Sequence, residues 1–207
     1  MRVTLLDLGI GNLHSLGKAL IRVIAGASVT VETDIARAID TELLVLPGVG
    51  AFPAAAARLA AQKGTLRDAV AAGLPCLGIC VGMQVMFDAS DEGPGEGLSF
   101  FSGRVTRLTT PRSPHMGWSP IAPAAKAPAW VAHGARGVYY AHSFACRPDD
   151  PNVVLATTEL DGDAFAAIVK KDRVAGLQFH PEKSSADGMA LLGSLARELV
   201  APGSSPS

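Results

Sequence analysis

The chain has 207 residues, a formal net charge of −1, 48% hydrophobic residues and three cysteines. The near-zero charge removes the electrostatic case for nucleic acid or an anionic membrane as partner. No apolar run approaches the roughly 20 residues that span a bilayer. The opening MRVTLLD lacks the apolar stretch and small-residue site of a secretory leader, so a cytoplasmic setting is expected. A low, odd cysteine count argues against a disulfide framework. Cys76 and Cys80 lack C-x-x-C spacing and no second pair completes a zinc site, so neither metal nor cofactor is expected.

In chain order, the first half alternates short apolar runs with helical patterns. Residues 3–7 predict a strand closed by Gly9-Ile10-Gly11. Asn12 then caps a helix running to about residue 24 and ended by Gly26. Residues 29–31 and Leu43–Leu46 predict two more strands, the latter stopped by Pro47-Gly48. Residues 53–61 and 66–72 read as helical, with Pro53 in a first turn. Cys76–Ile79 is a fourth strand, and residues 81–87 carry a helical pattern. Continuous apolar strands alternating with helices predict an α/β fold, its sheet largely parallel with helices on both faces.

The second half holds short strand patterns at residues 100–101, 105–108, 139–144, 153–158, 165–169 and 174–178, with Lys171-Asp172 as a turn between the last two. The open sheet is therefore expected to be mixed, with antiparallel additions. Residues 111–128 read as loop, interrupted by Pro114-His115-Met116-Gly117-Trp118. A last helix is expected over residues 187–199. No repeat or linker divides the chain, which predicts one domain over residues 1–200 and a frayed tail over 201–207.

The stretch Gly78-Ile79-Cys80-Val81-Gly82 puts Cys80 at a strand-to-helix junction. It has the form of a nucleophile elbow with sulfur in place of a serine oxygen. Small neighbours let the helix pass close to the strand, and the helix N-terminus favours an anionic sulfur. The competing reading is a buried structural thiol. Cys76, inside the strand, reads as core. A thiol nucleophile needs a base and an orienting group. His180 follows an apolar strand, Pro181 fixes the backbone beyond it, and Glu182 is near enough to hold the ring. Taken alone, His180 and Glu182 also read as a surface loop pair. Backbone N–H groups of Pro47-Gly48-Val49-Gly50, with that of Val81, are placed to receive an oxyanion. By itself that segment reads more readily as a simple turn, and its glycines would allow a peptide plane to rotate.

Three motifs, Pro47-Gly-Val-Gly50, Gly78-Ile-Cys-Val-Gly-Met-Gln84 and Gln178-Phe-His-Pro-Glu182, resemble class I triad glutamine amidotransferases, a flavodoxin-like fold. Gly11-Asn-Leu-His-Ser15, Pro114-His-Met-Gly-Trp118, Tyr139-Tyr-Ala-His-Ser-Phe144 and the ending Lys183-Ser184 narrow the likeness. They resemble the glutaminase subunits of imidazole glycerol phosphate synthase, nearly end to end. The resemblance implies that Cys80 attacks L-glutamine, with His180 as base and Glu182 orienting it. Val49, Gly50 and Val81 would then form the oxyanion hole. Gly48, Gln84, Glu92, Ser143 and Phe144 would bind substrate, although Glu92 also reads as a solvated loop acid. The resemblance further implies a (β/α)8-barrel cyclase subunit that takes the ammonia, with Asn12, Trp118, Tyr139 and His142 at or near its interface. Trp118 and Tyr139 read equally as ordinary packing. His14 and His115 receive no role. Ser99 and Phe100 within residues 97–101, and His14, depart from the family's usual residues. Rival readings are a glutaminase for another acceptor, such as pyridoxal phosphate or anthranilate synthase, a free-standing γ-glutamyl hydrolase or cysteine peptidase, and a non-enzymatic binding module.

Overall fold

The computed structural model describes residues 1–9 and 13–201, without the side chains of residues 134 and 135. The expected cap and interface residue Asn12, the turn residues Ile10 and Gly11, and the tail from residue 202 lie outside the described residues.

The first half builds β1 (Arg2–Leu6), α1 (Leu13–Val23), β2 (Ser28–Glu32), a short α2 (Ile35–Ala38), β3 (Leu43–Leu46), α3 (Phe52–Leu59), α4 (Lys63–Ala71), β4 (Cys76–Ile79) and α5 (Val81–Gln84). The second half adds β5 (Ala89–Ser90), β6 (Gly103–Arg107), β7 (His115–Ser119), β8 (Ala122–Pro123), β9 (Val138–His142), β10 (Phe144–Pro148), β11 (Val154–Leu160), β12 (Asp163–Lys171), β13 (Val174–Leu177) and α6 (Ser185–Val200).

An eight-stranded sheet runs β2-β1-β3-β4-β13-β12-β11-β8. Its first five strands are mutually parallel and the last three pair antiparallel. The expected mixed, largely parallel sheet is thus borne out. All four residues of β3 and of β4 are buried, as continuous apolar strands in the middle of a covered sheet must be. In α1 the buried positions are Leu16, Gly17, Ala19 and Leu20. In α6 they include Gly188, Leu191, Leu192, Leu195 and Leu199. Both sets recur at three- and four-residue spacing, one stripe of a helix turned to the core.

The central three parallel strands matter most. Leu46 of β3 pairs with Gly78 of β4, and Leu177 of β13 pairs with Ile79 of β4. Strands in this register end together, so the segments that follow them emerge side by side at the carboxyl edge, where open α/β sheets bind ligands.

Four local expectations differ from the structure. Residues 115–119 are a strand, β7, paired antiparallel with β9 from His115↔His142 to Ser119↔Val138. Its inward residues are polar, which hides the apolar alternation that marks a strand. Residues 139–144 form two strands, because the chain leaves β7 after His142 and pairs with β6 from Phe144 onward. Residues 100–101 form no strand; Phe101 is buried by stacking on Phe87, ring centroids 5.5 Å apart. The helix after Cys80 ends at Gln84 rather than near residue 87.

Candidate active site

Cys80 joins β4 to α5 with φ 53° and ψ −110°. A non-glycine residue there is strained, and such strain persists only where the surroundings hold it. Its N–H donates to the Leu177 carbonyl at 2.7 Å, and its own carbonyl accepts from Gln84 N at 3.0 Å. The turn works because α5 passes almost against β3: a Cβ at Gly82 would lie 1.7 Å from the Leu46 carbonyl oxygen. A Cβ at Gly48 would lie 2.8 Å from Cβ of Val81, so the Pro47–Gly50 segment rests directly on the residue after the cysteine. Cys76 is buried inside β4, and burial pushes its thiol far up, as suits a core residue.

His180 follows β13. Its backbone N–H donates to the Tyr139 carbonyl at 2.9 Å, and its carbonyl accepts from Ser184 Oγ at 2.6 Å. The ring Nδ1 lies 3.1 Å from Glu182 Oε1. The two side chains are only 2% and 6% exposed. Burial by itself would lower the titration of this imidazole, but Cys80 and the Glu182 carboxylate reverse the effect and push it up to about 9. The ring therefore holds its proton at neutral pH. His180 Nε2 and Glu182 Oε2 have no hydrogen-bond partner among the described residues.

A cavity of about 230 Å³ opens beside Cys80, sized for a ligand smaller than the drug-like molecules that fill larger pockets. Cys80, Val81, Gln84 and Gly50 form one side, and Glu92, His142, Ser143 and Phe144 contribute to the rest. Gln84 turns its amide N–H onto the Phe144 carbonyl at 2.8 Å. Glu92 spends one oxygen, Oε2, on the N–H of Phe52 at 2.7 Å, capping α3 from a distant loop. Gly50 has φ 145°, a region that favours glycine. His180, Glu182, Gly48 and Val49 do not line this cavity. They line a separate, much smaller one.

Of the four residues expected at an interface, the three that are described, Trp118, Tyr139 and His142, do not share one environment. Trp118 is 56% exposed and meets Tyr139 edge to face, ring centroids 6.1 Å apart. Lys183 Nζ stands 5.7 Å from the Tyr139 ring centre. His142 is instead buried in the cavity wall, because on β9 it faces inward against His115. The sequence reading missed Gln178, whose fully buried amide Nε2 lies 3.9 Å from Cys80 Sγ. It stands inside the motif that ends in His180 and Glu182, but its direction depends on the pairing of β13 with β4.

The chain and its fold have counterparts among known proteins. Residues 4–194 match the family described as glutamine amidotransferase class-I. A solved glutamine amidotransferase superposes with a TM-score of 0.75 at 19% identity, covering 97% of this chain and 99% of that one. The chain is 38% identical over 206 residues to the imidazole glycerol phosphate synthase subunit HisH of Pyrococcus furiosus, covering 95% of this chain and 98% of that one. It is 40% identical over 205 residues to the subunit HisH of Salinibacter ruber, with 93% of each chain covered. The chain belongs to the class-I glutamine amidotransferase family, in the group of imidazole glycerol phosphate synthase HisH subunits.

Proposed function

We propose that this chain is the glutaminase subunit of an imidazole glycerol phosphate synthase, acting in histidine biosynthesis in the cytoplasm. The Cys80 thiolate attacks the side-chain amide carbon of L-glutamine bound in the cavity. The oxyanion that forms is held by backbone N–H groups of Val49, Gly50 and Val81. His180, already protonated, gives its proton to the departing nitrogen, which leaves as ammonia. The bare imidazole then takes a proton from water, whose hydroxyl attacks the γ-glutamyl thioester and releases glutamate. Glu182 orients the ring and balances its charge. Gln84, Glu92, Ser143 and Phe144 line the cavity and hold the substrate, and Gly48 supports it from outside the cavity by packing on Val81. No cofactor enters these steps.

The observation that carries the reading is the strained elbow at Cys80 beside a buried His180–Glu182 pair. The ammonia passes to a (β/α)8-barrel cyclase subunit. The exposed face formed by Trp118, Tyr139 and the apolar side chain of Met116, which is 67% exposed, supports a docking surface there. The Pro47–Gly50 segment is a candidate switch, since its glycines let a peptide plane turn and supply or withhold an oxyanion donor.

The test is glutamate release by the chain alone and with the barrel cyclase and its ribotide ligand, for wild type and Cys80→Ala. Stimulation by the cyclase and silence in the variant are expected. Equal release by Cys80→Ala would refute the mechanism, and absence of stimulation would refute the partner.

A further inference from the structure

Two buried imidazoles, His115 and His142, stand outside the triad. His142 Nδ1 lies 2.8 Å from the Phe144 carbonyl oxygen. His142 Nε2 lies 3.2 Å from His115 Nδ1, and His115 Nε2 lies 2.9 Å from Ser119 Oγ. The carbonyl at one end of the line fixes the first bond, and neutral rings fix the others. A carbonyl oxygen only accepts, so His142 carries its proton on Nδ1. Burial above all holds the His142 ring down to about 4, helped by neighbouring charges against the opposing effect of its bond to the Phe144 carbonyl. The ring is therefore neutral, and its Nε2 can only accept. His115 must then donate from Nδ1. Burial and the Arg112 charge lower its titration too, which leaves Nε2 to accept from the Ser119 hydroxyl.

The line of donors runs one way, from Ser119 through His115 and His142 to Phe144. It ends on a pocket atom. The same Phe144 oxygen accepts from Gln84 Nε2 at 2.8 Å, so both of its lone pairs are used. The line begins on β7, whose exposed residues are Trp118 and Met116, the latter also lining the cavity beside Cys80. His115 is also stacked on Tyr140, ring centroids 4.5 Å apart, and Tyr140 is tied through its hydroxyl to Thr158 at 2.6 Å. These contacts keep the imidazole from rotating out of line.

We propose that Ser119, His115 and His142 are positioning residues, a hydrogen-bonded strut that holds the Phe144 carbonyl and the Gln84 amide in the orientation the glutamine pocket needs. The proposal rests on reading the cavity as the glutamine site. The strut moves no proton. It joins the strand under the exposed Met116 and Trp118 to the wall of the pocket, so a partner that shifts β7 shifts Phe144 as well.

Two readouts test it. In the isolated chain with ¹⁵N-labelled imidazoles, long-range proton–nitrogen correlation between pH 6 and 8 should show both rings neutral with the proton on Nδ1. An imidazolium, or a proton on Nε2 of either ring, overturns the strut. In the complex with the barrel cyclase, His115→Phe keeps a ring on Tyr140 but donates nothing. It should raise KM for glutamine about tenfold, the worth of one buried hydrogen bond, with kcat changed less than about threefold. His115→Asn carries an N–H at the Nδ1 position and should bring KM back to within about threefold of wild type. Equal KM values for the two variants overturn the proposal. The ring protons are read without glutamine turnover, so a wild-type complex that fails to hydrolyse glutamine would count against the function while the tautomers still decide the strut.

Discussion

His180 Nδ1 stands 3.1 Å from Glu182 Oε1 across a single intervening proline, with both side chains shut off from solvent. Pro181 has a fixed φ, so the loop presents the carboxylate to the ring without ordering a long segment. Glu182→Gln keeps the shape of that contact and removes the charge. His180 should then titrate below its present value of about 9, and kcat for glutamine should fall by roughly 10²–10⁴-fold, the range of general acid–base contributions. Steady-state kinetics with the partner, beside an NMR titration of the ring, would check both. An unchanged kcat would remove Glu182 from the machinery.

Stability should depend on pH through the same ring. His180 is raised from 6.5 in the unfolded chain to about 9 in the folded one. The folded state binds this proton more tightly, so its contribution is complete below pH 6.5 and is lost as pH rises through about 9. The urea midpoint of wild type should drop across that window. In Cys80→Ala, which lacks one of the two groups that raise the ring, the drop should be smaller and the ring should titrate lower. Equal drops in the two proteins would mean that the sulfur and the imidazole do not interact.

Backbone approach at the elbow makes a prediction of opposite sign at two glycines. Gly82→Ala forces a methyl to within 1.7 Å of the Leu46 carbonyl. It should cost about 1–3 kcal/mol or more, the usual penalty of overpacking, and displace Cys80. Gly64 lies in α4, where an added Cβ would meet nothing within 4 Å. Gly64→Ala should therefore stabilise by about 0.5–1 kcal/mol. Chemical denaturation of both variants gives the comparison, and a Gly82→Ala chain as stable as Gly64→Ala would contradict the packing of α5 on β3.

Local signals made the parallel core and the cysteine turn legible. Leu43–Leu46 and Cys76–Ile79 are buried apolar strands with the bounds read from their own composition, and the two glycines around Cys80 sit in the same short stretch. What lay hidden depends on distant partners. β7 presents His115 and Ser119 inward, so its strand character comes from pairing with β9 rather than from alternating apolar residues. His142 reads as surface until β7 covers it. The link from Gln84 to the Phe144 carbonyl spans 60 residues, and no spacing rule reaches that far.

Gln178 is the last such case. Its side chain is fully buried, its Nε2 lies 3.9 Å from Cys80 Sγ, and its Oε1 has no hydrogen-bond partner among the described residues. A buried amide oxygen without a partner costs about 1–3 kcal/mol, and a core of this density would accept an apolar side chain of similar volume. Keeping the amide therefore points to the use of its N–H on the sulfur. A donor to an anion is worth about 1.5–3 kcal/mol, which converts to roughly 10- to 100-fold in rate. Gln178→Met removes the donor at similar volume. It should lower glutaminase kcat by that factor and slow alkylation of Cys80 at pH 7, while the thermal midpoint stays level or rises because the orphan oxygen is gone. A variant that is less stable yet fully active would reverse both halves of the argument and leave Gln178 a packing residue.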